Sequence, residues 1–212
     1  MSSFQVLSKQ GYKRLTWKNG LGHTDEIGIY PEGAELKRAD FLWRLSSARI
    51  EQASPFSVFP RHDRVLVVLK GAGVRLTHTF EQGGDEESTD VYPLNPYEFP
   101  GDVPSRCELL DGPITDLSVF VRKAEAEALV DTTEVAEGES FEWMPSGRWN
   151  FAFAVEGDFD IESPLTQQAT HLTAGDTLSV QLDEPLADDQ AIRLSPVNGA
   201  GKLLIVGLQG EG

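Results

Sequence analysis

The stretch FLWRLSSARIEQASPFSVFPRHDRVLVVLKGAG, residues 41–73, decides how this chain is read. It holds two strand-like runs, a Ser-Pro turn and a second proline turn between them. In the first run Phe41, Trp43, Leu45 and Ser47 alternate with Leu42, Arg44, Ser46 and Ala48. Side chains of a strand point alternately to its two faces, so one face is aromatic and apolar and the other sets Arg44 beside Ser46. The second run, Val65 to Leu69, is continuously apolar and β-branched, as expected of a strand buried on both faces, and Lys70-Gly71-Ala72-Gly73 ends it. Arg44, Arg49 and Arg64 stand among residues that otherwise read as core. A guanidinium on the inner side of a packed sheet is costly unless an anion or a carboxylate meets it. That cost points to a ligand site.

The rest of the chain repeats the β pattern. WKNGLGHTDEIGIYPEG, residues 17–33, turns at Asn19-Gly20 and then alternates. Thr24, Glu26 and Gly28 fall on one face and His23, Asp25, Ile27 and Ile29 on the other, with acids on both. Phe4 to Leu15 fits a short edge strand and a turn at Gly11. EQGGDEESTD, residues 81–90, reads as an acidic solvated loop, and the four prolines of 91–106 exclude helix. In Thr115 to Arg122, Leu117, Val119 and Val121 oppose Asp116, Ser118 and Phe120. The Ala/Glu-rich AEAEALVDTTEVAEGE, residues 124–139, reads as a connector with room for a short helix. From Phe141 strands return, with Trp149, Phe151, Phe153 and Val155 alternating against Asn150, Ala152 and Ala154. Short strands punctuated by Gly and Pro indicate an all-β sandwich or barrel, here two packed small barrels.

Composition bounds the function. The net charge of −16 argues against nucleic acid, whose phosphates require a basic footprint. Residues 1–122 hold 14 Lys and Arg against 17 Asp and Glu, whereas 123–212 hold 4 against 17, so the cations are kept in the first half. No apolar run approaches the roughly 20 residues that span a bilayer, and no signal peptide is evident. The lone Cys107 excludes an internal disulfide and fits a reducing compartment, so a cytoplasmic location is expected. His23, His62, His78 and His171 show neither H-x-H nor H-x-x-x-H spacing, and His62 and His78 are expected to be exposed in turns or loops. No metal and no cofactor are expected. There is no G-x-S-x-G elbow and no glycine-rich phosphate loop.

Glu26, Arg44 and Arg64 remain, with Asn19, Thr24, Ser46 and Asp63 around them. Two readings stand: a structural network in which Arg44 and Arg64 pair with Glu26 and Asp63, or an arginine fork on a ligand carboxylate.

WKNGLGHTDEI, FLWRLSSARI, PFSVFPRHDRVLVVLKGAG and DGPITDLSV, in this order, resemble the signatures of the HutD/Ves family. The resemblance implies a bicupin, two cupin-like β-barrels in one chain without the usual cupin metal ligands. The boundaries expected are residues 1–123 for a ligand-binding N-terminal barrel and 124–212 for a mainly structural C-terminal one. It also implies binding of a small carboxylate metabolite of histidine utilisation, urocanate- or formylglutamate-like, and modulation of that pathway rather than catalysis. Carried over position by position, the ligand-binding residues are Trp17, Lys18, Asn19, Thr24, Glu26, Arg44, Ser46 and Arg64. Two positions depart from the family pattern. Arg61 stands where glycine usually follows Phe-Pro, and Asp116-Leu117-Ser118 stands where the family has Asp-Phe-Asn. The rivals are a metal-independent isomerase or epimerase using Glu26 as general base, and a protein-interaction module using the acidic second half. A homodimer covering barrel edges is compatible with all of these.

Overall fold

The β-branched and aromatic runs form strands throughout, as the computed structural model shows for residues 2–17, 22–80, 84–187 and 190–210. In chain order these are β1 (Ser3–Leu7), β2 (Lys13–Thr16), β3 (His23–Tyr30), β4 (Trp43–Ile50), β5 (Ser54–Pro55), β6 (His62–Lys70), β7 (Val74–Thr79), β8 (Glu86–Val91) and β9 (Tyr97–Pro100). They continue with β10 (Ser105–Leu109), β11 (Ile114–Arg122), β12 (Ala126–Val135), β13 (Phe141–Trp143), β14 (Trp149–Glu162), β15 (Thr170–Leu172), β16 (Thr177–Gln181) and β17 (Ile192–Gly210). The one helical turn among the described residues is a 3-10 turn at Lys9–Gly11.

The chain divides into two units: Lys13–Glu127, and a second that joins Met1–Tyr12 to Ala128–Gly210. The first unit has a six-stranded sheet, β2-β3-β4-β11-β6-β9, and a four-stranded sheet, β5-β10-β7-β8. Their inner faces share one core, in which Ile50, Leu66, Val68 and Ile114 of the larger sheet meet Val74, Leu76, Val91 and Cys107 of the smaller. β4, β11 and β6 are buried on both faces, which explains their near-continuous apolar sequence.

The second unit is one seven-stranded sheet ordered β1-β16-β14-β17-β12, with β13 on β17 and β15 on β14. Bulges between Ala154 and Asp158 let β14 pair with β16 through residues 149–153 and with β15 through 159–161. The sheet therefore encloses its own core, filled by Phe159, Ile161, Leu172, Leu178, Ile192 and Leu194 among others. Its buried polar groups serve turns: Asn150 closes on both backbone groups of Gly147, and Asp176 takes Lys9 N–H and the Thr173 hydroxyl.

Three expectations change. Residues 1–12 belong with the second unit, because β1 pairs with β16 in full register, from Ser3 opposite Gln181 to Leu7 opposite Thr177. The Ala/Glu-rich 124–139 holds neither a helix nor a loose connector but the ten-residue β12. There Glu127, Leu129 and Asp131 point to solvent while Ala126, Ala128 and Val130 turn inward, so period-2 burial overrides helix propensity. Within 81–90, residues 86–90 are strand rather than loop: β8 pairs with β7 as an edge, and its exposed Glu86 and Glu87 guard that edge.

Candidate functional site

Cross-strand register places the polar residues of the first unit in three rows on the inner face of its larger sheet. Thr24, Ala48, Asp116 and Val68 form one row, and Glu26, Ser46, Ser118, Leu66 and Tyr97 the next. The third runs Ile29, Arg44, Phe120, Arg64 and Phe99. A bulge in β3 between Glu26 and Gly28 breaks the simple alternation expected there. Glu26 stays in the row of Ser46, while Gly28 pairs with Leu45 on the other face, where a Cβ would lie 3.1 Å from the Trp43 ring. Such a bulge re-aims side chains, and here it lets Glu26 meet Arg44.

Arg44 is 3% exposed, and its Nε donates to Glu26 Oε2 at 2.8 Å and its Nη1 to Ser46 Oγ at 2.9 Å. Lys13 Nζ stands 3.8 Å from Glu26 Oε1. Arg64 is held differently. Its guanidinium carbon lies 4.5 Å from the Phe120 ring centre, 4.6 Å from Phe56 and 5.1 Å from Phe99. Desolvated cation–π contacts are worth about 2 kcal/mol or more, so three rings fix this cation. Its Nη2 lies 3.5 Å from Ser118 Oγ, and the Ser118 hydroxyl donates to Asp116 Oδ2 at 3.1 Å. Asp116 Oδ1 accepts the Ala48 N–H at 3.0 Å. Burial pushes the Arg64 guanidinium down to about 10, so it remains a cation at neutral pH. Burial pushes the Asp116 carboxyl up to about 6, against the pull of Arg64 and the Ser118 hydroxyl.

Two donors of these two arginines are left over. Arg44 Nη2 and Arg64 Nε are buried and have no hydrogen-bond partner among the described residues. Buried polar groups are almost always satisfied, so two orphan guanidinium N–H groups on one interior face mark a place for an acceptor. The donor set does not fit a divalent metal: two cations stand in it, and no group of three His, Cys, Asp or Glu among the described residues is placed to hold one.

The histidines are the clearest departure from expectation. His62 is fully buried, with Nδ1 3.0 Å from Pro60 O and Nε2 3.0 Å from Phe41 O. Its ring packs 4.3 Å from Phe41, which with Phe59 also packs edge-on to Phe120. Phe41 and Phe59 thus hold the Phe120 ring, which lies between Arg44 and Arg64 in their cross-strand row. His78 is 3% exposed, stacked near Tyr97 and Phe99. Its proton positions follow from its neighbours. Ser105 O–H donates to Val103 O, so His78 Nδ1–H donates to Ser105 Oγ and Nε2 accepts from Tyr97 O–H. Burial lowers the His78 pKa, in keeping with this neutral ring.

The other expected residues divide. Trp17 Nε1 donates to Thr24 Oγ1 at 2.9 Å, and the Trp17 ring packs on the core beside the site. Ser46 holds Arg44. Lys18 and Asn19 lie outside the described residues. Asp63 does not pair with Arg64 but faces Lys123 Nζ at 3.5 Å, and Arg49 is exposed and paired with Glu51. The eight-residue expectation lacked Asp116, Ser118 and the ring cage of Phe56, Phe99 and Phe120. Their signal was in the sequence, since Asp116, Ser118 and Phe120 share one face of a strand whose other face is apolar.

Arg61 adopts φ +66°, the left-handed conformation that glycine adopts without strain. This explains the glycine of the family pattern at this position. Its side chain is exposed, so only the backbone is at issue. Arg61→Gly relieves roughly 1–2 kcal/mol of left-handed strain and returns roughly 0.5–1 kcal/mol in chain entropy. The expected outcome is a gain of about 1 kcal/mol, read as a melting point higher by about 2–4 °C. An unchanged or lower melting point would show that the turn tolerates Arg61 without strain.

A family model for HutD matches residues 9–199, most of the chain. The chain belongs to the HutD family. Among curated HutD relatives, a 21.2 kDa Pseudomonas putida protein in the hutC 3' region is 38% identical over 120 residues, 57% of this chain and 59% of that protein. The match thus spans less than two thirds of that relative. Protein Ves of Citrobacter koseri is 32% identical over 156 residues, 70% of this chain and 71% of its own. HutD from Pseudomonas fluorescens SBW25, solved in a formate condition, superimposes with a TM-score of 0.76 at 28% identity, over 99% of this chain and 100% of that one. Bacillus subtilis oxalate decarboxylase shares the cupin-type fold alone, at 10% identity and a TM-score of 0.67 over 98% of this chain and 78% of its own.

Proposed function

We propose that this HutD-family chain binds a small carboxylate metabolite, without a metal, on the inner face of its first unit. The observation that carries this reading is the pair of orphan donors, Arg44 Nη2 and Arg64 Nε, on two buried guanidinium groups in one cross-strand row. A carboxylate has two oxygens and matches such donors with charge-assisted hydrogen bonds. Glu26 and Ser46 orient Arg44, the ring cage and Ser118 orient Arg64, and Trp17 with Thr24 flanks the first row. The second unit offers an apolar core and serves as structural support.

The hut-region setting of the Pseudomonas putida relative supports urocanate or formylglutamate as ligands and modulation of histidine utilisation, in the cytoplasm, as the role. The enzymatic alternative assigns Glu26 as general base, but both its oxygens are engaged, one by Arg44 and one by Lys13. The acidic second half, as a docking surface, is favoured by no particular contact. A surface depression of about 320 Å3 there is lined by Arg193, which is bonded to Glu142 and Glu162.

A thermal-shift screen against histidine, urocanate, formylglutamate, glutamate, formate and sugar phosphates, with and without EDTA, tests the reading. A ligand at 100 times its Kd stabilises the native state by about 2.7 kcal/mol, which raises Tm by about 5–10 °C at this size. A shift with urocanate or formylglutamate that EDTA leaves intact is the expected result. Silence from every carboxylate, or collapse of the shift in EDTA, would overturn it.

A further inference from the structure

The interior face carries two cations, Arg44 and Arg64, against two carboxylates, Glu26 and Asp116, and none of the four is more than 8% exposed. Leu66, Val68, Ile114, Phe99 and Phe120 surround them with apolar surface. The set is therefore already neutral. An anion added to it leaves one uncompensated negative charge in a medium where unit charges interact several-fold more strongly than in water. Taking up a proton on a carboxylate relieves that charge. Glu26 is poorly placed to do so, because Arg44 Nε lies 2.8 Å from one oxygen and Lys13 Nζ 3.8 Å from the other. Asp116 is held instead by neutral donors, the Ala48 N–H and the Ser118 hydroxyl.

We propose that Asp116 is the proton acceptor of this site, so that an anion enters together with one proton, which comes to rest on Asp116 Oδ2. The inference rests on the carboxylate-binding reading above. The hydroxyl chain supplies the geometry. Before binding, Ser118 O–H donates to Asp116 Oδ2. Once Oδ2 carries a proton taken from solvent, it donates to Ser118 Oγ, and the Ser118 O–H is free to turn to the anion. Asp116 Oδ1 keeps the Ala48 N–H. No heavy-atom bond forms or breaks, and the anion gains a neutral donor from the row beside the two arginines. The departure from the family pattern at this position takes on a role, since a hydroxyl can reverse its bond in this way.

The groups facing Asp116 agree with the assignment. Arg64 on β6 and Cys107 on β10 face it, Glu26 on β3 and Arg44 on β4 stand in the neighbouring rows of the same face, and His78 on β7 faces Arg64. Burial pushes the Cys107 thiol up to about 12, so it stays protonated, and burial keeps His78 neutral. Asp116, at about 6, is the group poised to titrate near neutrality. Affinity for an anion is then level below about pH 6 and falls by up to tenfold per pH unit above it.

Calorimetric titration of the wild-type chain with formylglutamate, or with formate if formylglutamate gives no heat, tests this without a variant. Both keep a constant charge from pH 6.5 to 8.5. In buffers of different ionisation enthalpy at pH 7.5, uptake approaching one proton per ligand is expected, with Kd rising up to tenfold per pH unit. The infrared difference spectrum should gain a protonated-carboxyl C=O band on binding. In Asp116→Asn both the uptake and the pH dependence of Kd should vanish. Binding with no uptake and a level Kd overturns the inference and leaves the reading intact. Uptake that persists in Asp116→Asn overturns the assignment to Asp116. No binding of either probe, nor of any other carboxylate in the screen, overturns both.

Discussion

Arg44→Ala is expected to lose both ligand-induced stabilisation and about 3–5 kcal/mol of intrinsic stability, because it strands the Glu26 carboxylate in the interior. Glu26 is 8% exposed, and the partner that remains to it is Lys13 at 3.8 Å, whose side chain is 70% exposed. A long exposed lysine contributes little against desolvation of a buried carboxylate. Arg44 therefore tests binding poorly on its own, since a destabilised protein loses ligand for two reasons. The double variant Glu26→Gln with Arg44→Met separates them. It removes both charges, keeps the side-chain volumes close, and should recover most of the lost stability, as buried ion pairs replaced by neutral residues generally do. It should still bind no carboxylate. Urea denaturation with the thermal-shift screen reads both quantities. A double variant as unstable as Arg44→Ala would mean that the cost lies in lost packing. A double variant that binds formylglutamate normally would remove Arg44 from the site.

The sequence carried the arginine argument because a strand's period is rigid: once 43–50 is a strand, Arg44 and Ser46 share a face, and the same rule joins Asp116, Ser118 and Phe120. It could not carry the partners. His62 and His78 sit at what reads as turn and loop margins, and the partners that hold them inside, Phe41 for His62 and Ser105 and Tyr97 for His78, lie 19 to 27 residues away. The bulge at Glu26 and Gly28 leaves no local signature beyond a glycine, yet it decides which residues of β3 face Arg44. The pairing of β1 with β16 spans most of the chain, and an edge strand of five residues carries no information about which sheet it will join. β12 shows the opposite failure. Its Ala and Glu residues favour helix locally, and the sheet it completes outweighs that preference.

The same interior charge set makes a prediction about the unliganded protein. Burial raises the Asp116 carboxyl from its ordinary 3.8 to about 6. Between those values the native state holds a proton that the unfolded chain has released. Native stability from this group is thus present below pH 3.8 and lost as pH rises through 6. A shift of about 2 units corresponds to about 3 kcal/mol. Asp116→Asn carries no such charge at any pH. Its stability relative to wild type should therefore climb by about 2–3 kcal/mol between pH 4 and pH 7.5 and level off above that. The difference between the two proteins cancels the other carboxylates, which titrate alike in both. Urea unfolding of each protein at half-unit pH steps gives the curve. Parallel curves across this range would mean that Asp116 is not destabilised by its burial, and would remove the reason for it to take a proton when an anion arrives. A rising difference would show that the site is strained by its own carboxylate at neutral pH. Protonation on ligand entry would then relieve that strain as well as neutralise the bound anion.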